Sequence, residues 1–298
     1  MCTMKKKFQM IGFALSVLLV TLPVVTVGAD NAASGKQKKE KTTESALGVK
    51  PVTGSWINLA YKDVRNKYTN PQSFDNMDPK LWEAKVRELS AMGIEYLVFM
   101  EVANEGKSYY PSQIMPWWYN KDKKSPVDAI LDEAAKHNMK IFMSSGWAKD
   151  QDDNLLDPAI KERQLQIMEE LASLYKNHKA FYGWYLPVED CLCPIFAEHA
   201  VQSVNTLSEK AKKLTPGKKT LISPYGIGLS EFDNPEYEKQ MQKLKVDIIA
   251  YQDEVGCVRD QFTLPRLKKN WQRLRDIHNR LNIEMWANCE TFTWEEGT

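Results

Sequence analysis

Residues 78–102 read DPKLWEAKVRELSAMGIEYLVFMEV, and they contain the helix and the strand that repeat through the rest of the chain. Asp78 is a favoured N-cap residue, and Pro79 suits the first position of a helix. One face of this helix carries Trp82, Val86 and Leu89. Gly93 stands where a left-handed C-terminal cap is expected, and the apolar run Tyr96 to Val102 follows it. The stretch therefore predicts an amphipathic helix followed by a buried β-strand.

The same alternation of apolar runs and amphipathic helical runs extends in both directions. Seven strands are predicted: Trp56 to Tyr61, Tyr96 to Val102, Ile141 to Gly146, Phe181 to Leu186, Thr220 to Ser223, Ile248 to Tyr251 and Glu284 to Ala287. Helix starts of the same type recur at Ser125-Pro126 and Asp157-Pro158, and a further striped helix begins at about Leu264. Near-continuous apolar strands joined by crossover helices form parallel sheets that are covered on both faces.

This order predicts one α/β domain with a TIM-type (β/α)8 barrel, a fold that commonly occupies ~250 residues. A closed barrel needs eight strands, whereas seven are found. We therefore expect a barrel that is truncated before or at its eighth βα unit, and a natural gene product that continues past Thr298. The rival fold, an open doubly wound sheet, requires a glycine-rich phosphate loop after its first strand. Gly226-Ile227-Gly228 follows a late strand and is interpreted as a turn.

The chain begins with the three segments of a secretory signal peptide. A basic start at Lys5 to Lys7 precedes an apolar run from Met10 to Val27, and the small residues Gly28 and Ala29 follow. We expect residues 1–29 to be cleaved after Ala29, which places the mature protein in the periplasm or outside the cell. An uncleaved anchor is the alternative, although the apolar run is at the short end of the ~17–25 residues that span a bilayer.

Residues 30–50 are polar and predict a disordered linker, which leaves residues 51–298 for the barrel domain. A heparin-like binding patch is the alternative function of the basic run Lys36 to Lys41. The net charge of the whole chain is only +1. Binding to nucleic acid or to an anionic membrane needs a clustered basic face, so we expect neither as a partner beyond the signal itself.

Motifs for cofactors and metals are missing from the sequence. The four histidines, His137, His178, His199 and His278, lack the His-Glu-x-x-His spacing of a zinc protease. The chain also lacks the Gly-x-Ser-x-Gly elbow of serine hydrolases. We therefore expect no cofactor and no metal ligands.

In a barrel of this type the active site forms at the C-terminal ends of the strands. Carboxylates follow the strands at that rim: Glu101, Glu189, Asp190, Asp253, Glu254 and Glu290. Acids in such loops also serve as helix N-caps, which is the structural alternative for each of them. Their concentration at one rim favours a catalytic site.

Aromatic residues share the rim. They are Trp147, Trp184, Tyr185, Tyr251 and Trp286, together with Trp117, Trp118 and Tyr119 in the loop after the second strand. A flat aromatic face suits the C–H face of a sugar ring. Burial in the core is the alternative for Trp184 and Trp286.

Three segments at the ends of strands four, six and seven resemble a family of exported bacterial TIM-barrel proteins of unknown function. They are Tyr182 to Glu189 (YGWYLPVE), Tyr251 to Gly256 (YQDEVG) and Trp286 to Phe292 (WANCETF). That family is placed by similarity in the glycoside hydrolase superfamily. The resemblance covers most of the mature chain and implies a glycosidase that acts on an extracellular or periplasmic carbohydrate.

The resemblance also implies roles for single residues. Retaining glycosidases of the largest barrel clan have an acid/base Glu at the end of strand four and a nucleophilic Glu at the end of strand seven. By position these are Glu189 and Glu290, whose carboxyl groups would lie ~5–5.5 Å apart. Val188 stands where that clan usually has Asn before its acid/base. The residues expected to bind the sugar are Glu101, Trp117, Trp118, Trp147, Tyr185, Tyr251, Asp253, Trp286 and Asn288.

The neighbours of the two glutamates suggest how each is held. Trp184 and Leu186 are expected to supply an apolar setting that keeps Glu189 protonated. Asn288 is a candidate donor to Glu290. Asp253 is expected to bind a substrate hydroxyl or to steady the acid.

Four cysteines fall on the same rim, Cys191, Cys193, Cys257 and Cys289. Disulfides are the first expectation in an exported protein. The Cys-x-Cys pair is too close to bond easily to itself, so Cys191 or Cys193 is predicted to pair with Cys257 or Cys289. Free thiols and a four-thiolate metal site are the alternatives.

Two other functions stay open, a non-catalytic carbohydrate-binding barrel and a metal- or thiol-dependent hydrolase on the same fold.

Overall fold

A computed structural model describes residues 51–59, 77–149, 153–191, 193–256 and 263–291. The predicted signal peptide and linker, residues 1–50, lie outside these ranges. So do Tyr61 at the end of the first predicted strand, Cys257, and residues 292–298.

Seven parallel strands form one sheet in which each strand pairs with the next along the chain. They are β1 (Gly54–Ile57), β2 (Tyr96–Phe99), β3 (Lys140–Ser144), β4 (Phe181–Tyr185), β5 (Lys219–Ile222), β6 (Ile248–Gln252) and β7 (Glu284–Asn288). The seven predicted strands are confirmed, with ends that differ by a few residues. The apolar runs continue beyond the sheet into the rim loops, which is why several strands were predicted too long.

Six helices separate the strands: α1 (Pro79–Ala91), α2 (Pro126–Lys136), α3 (Pro158–Tyr175), α4 (Glu198–Leu214), α5 (Pro235–Lys243) and α6 (Leu264–Leu281). The side chains of Asp78, Ser125 and Asp157 accept hydrogen bonds from backbone N–H groups in the first turns of α1, α2 and α3. This confirms the predicted helix starts. Gly93 follows α1 with a φ of 87°, the left-handed conformation expected of a C-terminal cap.

Apolar clusters lie on the two faces of the sheet. The larger packs the helices onto the sheet, and Trp82, Val86 and Leu89 of α1 are buried in it as predicted. The smaller contains Val98, Met100, Phe142, Tyr185, Leu221, Ile248 and Ala250. Beside it, the ring of Trp286 in β7 lies 5.1 Å from the ring of Tyr96 in β2. Strands this far apart in the sheet meet only when it curls, so the smaller cluster fills the interior of a barrel.

The curled seven-stranded sheet confirms the predicted barrel plan. Within the described residues no strand pairs with both β7 and β1, in agreement with a truncated barrel. A short antiparallel ribbon, Ala103–Asn104 with Lys107–Ser108, follows β2 on the rim side. None of the described helices is both long and apolar enough to cross a bilayer.

Gly183 in β4 occupies a place where the backbone leaves no room for a side chain. A Cβ atom there would lie 2.6 Å from the backbone oxygen of Lys219 in β5 and 2.7 Å from the ring of Phe142 in β3. The register of β3 against β4 also shifts at Phe142. Beyond this point Trp184 packs in the helix-facing cluster, and Tyr185 packs in the barrel interior.

Candidate active site

Glu189 lies just past the end of β4, at the C-terminal rim of the barrel. Its Oε1 accepts a hydrogen bond of 2.6 Å from the side-chain amide of Gln252. The same amide nitrogen donates to the backbone oxygen of Ser223 at 2.9 Å. Because Ser223 follows β5 and Gln252 ends β6, the acid of β4 is held across the tops of three neighbouring strands.

The setting of Glu189 favours its protonated form. Burial raises the pKa of the carboxyl group above its usual range, and this effect is the largest. The hydrogen bond from Gln252 lowers the pKa, and the charge of Glu290 raises it. The two glutamates singled out in the sequence therefore share one electrostatic neighbourhood.

Glu290 is held by the loop that follows β6. Its Oε2 accepts a hydrogen bond from the backbone N–H of Gly256 at 2.8 Å. Its own backbone N–H donates to Oδ1 of Asp253 at 3.0 Å, and the N–H of Asp253 donates to the backbone oxygen of Asn288 at 3.1 Å. Asp253 thus positions the backbone of Glu290, a contact that the sequence did not predict.

Asn288 contacts Ser223 rather than the carboxylate of Glu290. Its Nδ2 donates to the Ser223 hydroxyl at 3.0 Å. Glu290 instead accepts from the backbone of Gly256, which corrects the predicted donor. Ser223 therefore receives amide groups from two strands, Gln252 at its backbone oxygen and Asn288 at its hydroxyl.

Glu101 and Tyr185 lie close to this rim cluster and are both covered by protein, with exposed fractions of 0% and 1%. Burial raises the pKa of Tyr185 well above its usual range, and the charges of Glu189 and Glu101 raise it further. Two carboxyl groups therefore approach one phenol. The buried ring of Tyr185 leaves no open face for a sugar, which corrects its predicted stacking role.

Glu254 adds a further acid to the rim. Its Oε2 accepts hydrogen bonds from the backbone N–H groups of Gly226 and Ile227 at 2.8 and 2.9 Å. Burial raises the pKa of Glu254 to about 7 against the lowering effect of these bonds, and the charges of Glu290 and Asp253 contribute to the rise. Its φ of 54° lies in the left-handed region, which residues with a side chain rarely adopt and which recurs at functional sites.

Trp147 braces the segment that leads to Glu189. Its indole N–H donates to the backbone oxygen of Pro187 at 3.4 Å, and its side chain is buried. Trp184 and Leu186, which were expected to surround Glu189, are buried between the sheet and the helices instead.

Tyr251 lies away from the rim, contrary to its predicted place in a sugar-binding surface. Its hydroxyl is 2.8 Å from Nε2 of His278 in α6, and its ring packs edge-on against Trp271 of the same helix. Trp286 packs inside the barrel against Tyr96 and the other aromatic residues of that interior. Trp286 is therefore a packing residue of the barrel interior, which was the alternative to its predicted sugar-binding role.

Trp117, Trp118 and Tyr119 belong to a packed loop beside α2 and α3. The ring of Trp117 stacks on Tyr119 with centroids 5.1 Å apart, and the ring of Trp118 stacks on Tyr109 at 6.1 Å. The carboxylate of Glu170 in α3 accepts three hydrogen bonds from this loop. Tyr119 is buried, whereas the two tryptophans remain partly exposed. Sugar binding by Trp117 and Trp118 stays a prediction.

Cys191 and Cys193 form a disulfide with each other, so the predicted pairing with a distant cysteine is wrong. Their Cα atoms are 5.4 Å apart, which is within the range that a disulfide requires. Cys289 is an exposed free thiol. No group of three or more His, Cys, Asp or Glu side chains in the described part of the chain is arranged to hold a metal ion.

Two rim residues, Ser223 and Gln252, were not predicted as site residues, and Glu254 was placed at the rim without a role of its own. Ile248 and Ala250 face the barrel interior, so strand alternation places Gln252 on the same face. That signal was present in the sequence. Ser223 carried no comparable signal, because a serine just past a strand is common in any loop.

The chain is similar to a known protein family and to a bacterial relative. The model of a family described as a domain of unknown function, DUF4434, matches residues 52–297. Glycosyl hydrolase DigH of Escherichia coli strain K12 is 25% identical over 196 residues, which cover 60% of this chain and 43% of DigH. The match thus spans less than half the length of that relative.

A solved structure shares the fold. It is a crystal structure of a protein from Bacteroides thetaiotaomicron VPI-5482 described as a "putative alpha-L-fucosidase". The TM-score is 0.61 at 18% identity, over 87% of this chain and 79% of that chain. This chain therefore shares the barrel fold of that protein.

Proposed function

The chain belongs to the DUF4434 family of domains of unknown function, and on that premise we propose that it is a retaining glycoside hydrolase that uses Glu189 and Glu290. One observation carries the proposal. The buried carboxyl group of Glu189 is held at the barrel rim by Gln252, within the electrostatic reach of Glu290. An acid whose pKa is raised by burial, next to a second acid, is the arrangement that glycoside hydrolysis requires.

Glu189 acts as the general acid in the first step. It gives its proton to the glycosidic oxygen as the bond to the anomeric carbon breaks. The amide of Gln252 occupies Oε1 as a donor, so the proton is carried on Oε2. This orientation directs the acidic proton away from Gln252.

Glu290 acts as the nucleophile. Its ionised carboxylate attacks the anomeric carbon and forms a glycosyl ester, while the backbone N–H of Gly256 stabilises the charge on Oε2. Water then attacks the ester, Glu189 takes a proton from that water, and Glu290 leaves as a carboxylate. We expect the two carboxyl groups to lie ~5–5.5 Å apart, as a retaining mechanism requires.

The substrate is a glycan outside the cytoplasm, since the predicted signal peptide directs the chain to the periplasm or beyond. Trp117 and Trp118, the partly exposed aromatic residues of the β2 loop, bind the sugar rings. The buried residues Glu101 and Tyr185 support the reacting centre from below rather than stacking on a ring.

The test is a glycan-panel activity screen of the wild type beside Glu189→Gln and Glu290→Gln. Each variant should lose ~10³-fold or more in kcat, because acid assistance and covalent catalysis are each worth several kcal/mol. Glu236→Gln is the matched control, since this exposed Glu of α5 forms a surface ion pair with Lys239. Full activity in either rim variant would remove that glutamate from the mechanism. Glycan binding by the wild type without turnover would identify a non-catalytic binding barrel.

A further inference from the structure

A basic cleft opens at the N-terminal ends of β3, β4 and β5, opposite the acidic rim. Its volume is about 460 Å³, within the ~300–1,000 Å³ range of small-molecule sites. Its lining includes Lys140, Lys179, Lys218 and Lys219, with Phe181 and Tyr182 as an aromatic wall. The lining contains no carboxylate.

Two of the lysines project from the inner face of the barrel. Lys140 lies two residues before Phe142, and Lys219 lies two residues before Leu221, both of which pack in the barrel interior. Strand alternation therefore points both lysines inward at the bottom layer. That layer in a TIM barrel is normally filled by branched apolar residues, so the two charges are unexpected there.

The ammonium groups are held mainly by neutral partners. Nζ of Lys140 donates to the hydroxyl of Tyr96 at 2.9 Å and lies 5.2 Å from the centre of the Tyr182 ring. Nζ of Lys218 donates to the backbone oxygen of Phe181 and lies 4.5 Å from the centre of its ring. Each ammonium group has three N–H donors, so both keep donors for a ligand.

Opposite charge is sparse around the cleft. No carboxylate of the described residues lies within ion-pair distance of any of its four lysines. Glu95 contributes only a minor effect to the raised pKa of Lys140, and Glu284 of β7 accepts a hydrogen bond from the indole of Trp286. Burial alone lowers the pKa of Lys218, as expected of an ammonium group that lacks a compensating anion.

We propose that the basic cleft binds a tetrahedral dianion, a phosphate or sulfate group, through Lys140 and Lys219, which share the inner face of the sheet. Ammonium groups recognise such oxyanions by charge-assisted hydrogen bonds. The size of the cleft leaves room for an organic body beside the anion, with Tyr182 as its apolar contact. This site is separate from the rim, so its failure would leave the proposed glycosidase untouched.

The experiment is calorimetric titration of the folded protein with inorganic phosphate, inorganic sulfate, glucose 6-phosphate and glucose 6-sulfate. Sodium chloride is adjusted so that the ionic strength is the same in every titration. The wild type should show saturable binding at one site. Tighter binding of the sugar esters than of the free ions would identify an organic ester as the occupant, whereas equal affinities would identify the free ion.

Lys140→Gln/Lys219→Gln should weaken binding at least ~10-fold, because each lost charge-assisted hydrogen bond removes more than a neutral one. Lys268→Gln/Lys269→Gln is the matched control, since it removes two exposed positive charges from α6. If the double variant fails to fold, Lys140→Gln and Lys219→Gln carry the test singly. Absence of saturable binding by the wild type, or an equal loss in the α6 control, would overturn the proposal.

Discussion

Glu254 at the barrel rim is partly buried and Glu133 on α2 is buried, yet the pKa values of their carboxyl groups shift in opposite directions. Burial raises the pKa of Glu254 to about 7, although two backbone N–H groups donate to it. Hydrogen bonds from Lys136, the largest cause, and from Arg87 and His137 together lower the pKa of Glu133 to about 2 against the effect of burial. Donors without a full charge leave an acid able to hold a proton near neutral pH, whereas cations do not.

The largest effect expected from this comparison concerns Gln252, the uncharged hydrogen-bond donor to Glu189 at the rim. Gln252→Leu removes the hydrogen bond to Glu189 and should lower kcat ~10–100-fold, because a hydrogen bond to an ionisable group is worth ~1.5–3 kcal/mol. Since that bond lowers the pKa of Glu189, its loss should also move the alkaline fall of the pH–rate profile to higher pH. Gln272→Leu on the exposed face of α6 serves as the control. An unmoved profile with a lower kcat would mean that Gln252 only supports the fold.

The second prediction addresses the cationic surroundings of Glu133. Its pKa falls from 4.5 to about 2 on folding, so it stabilises the protein above pH 4.5, and this stability is lost as the pH falls toward 2. Glu133→Gln should lower the free energy of unfolding at pH 7 by ~1–2 kcal/mol, a value discounted for the exposed partners. Urea unfolding measures this change, with Glu88→Gln of the exposed Lys85 pair as the control. Equal effects in the two variants would contradict the comparison.

The third prediction concerns Glu254, whose ionisation should destabilise the fold, whereas that of Glu133 stabilises it. The pKa of Glu254 rises from 4.5 to about 7 on folding, so the wild type should lose stability as the pH rises between these values. Glu254→Gln keeps an oxygen for Gly226 and Ile227 and removes the charge. We expect it to raise the free energy of unfolding at pH 8 by ~1 kcal/mol and to change it little at pH 4. A loss of stability at both pH values would show that the carboxylate is needed for the fold itself.

The smallest expected effect concerns Trp117, which lies in the loop after β2 and contacts neither Glu254 nor Glu133. Trp117→Ala should weaken glycan binding ~3–10-fold, in line with the ~0.5–1.5 kcal/mol of an aromatic stacking contact. The pH dependence of unfolding should stay unchanged, because Trp117 contacts Tyr119 and Ser112 rather than the rim acids. Isothermal titration with the glycan that the wild type cleaves fastest measures binding, and thermal melting measures stability. A collapse of the melting temperature with unaltered binding would make Trp117 a core residue.

The sequence predicted the order of strands and helices well, because local chemistry decides it. Proline after a capping side chain starts α1, α2 and α3, and the left-handed glycine after α1 was expected from its place alone. Each of these features depends on neighbours in the chain. The fold could therefore be predicted without long-range contacts.

The site was predicted less completely, because it depends on contacts across the barrel. Glu189 and Glu290 were found from their positions after strands, whereas the amide of Gln252 that joins Glu189 to β5 was not. Tyr251 was predicted at the rim, but it faces α6, and the next residue, Gln252, contacts the rim acid instead. The Cys191–Cys193 bond was not predicted, because the two residues were considered too close in sequence to bond to each other.

Gly183 sets a limit on redesign of this barrel. It lies within the segment YGWYLPVE that ends at Glu189, so a directed-evolution library aimed at new substrate preference would naturally randomise it. Even alanine there would meet the backbone oxygen of Lys219 at 2.6 Å. Backbone cannot rotate away as a side chain can, so such a library would recover mainly glycine at this codon among folded clones.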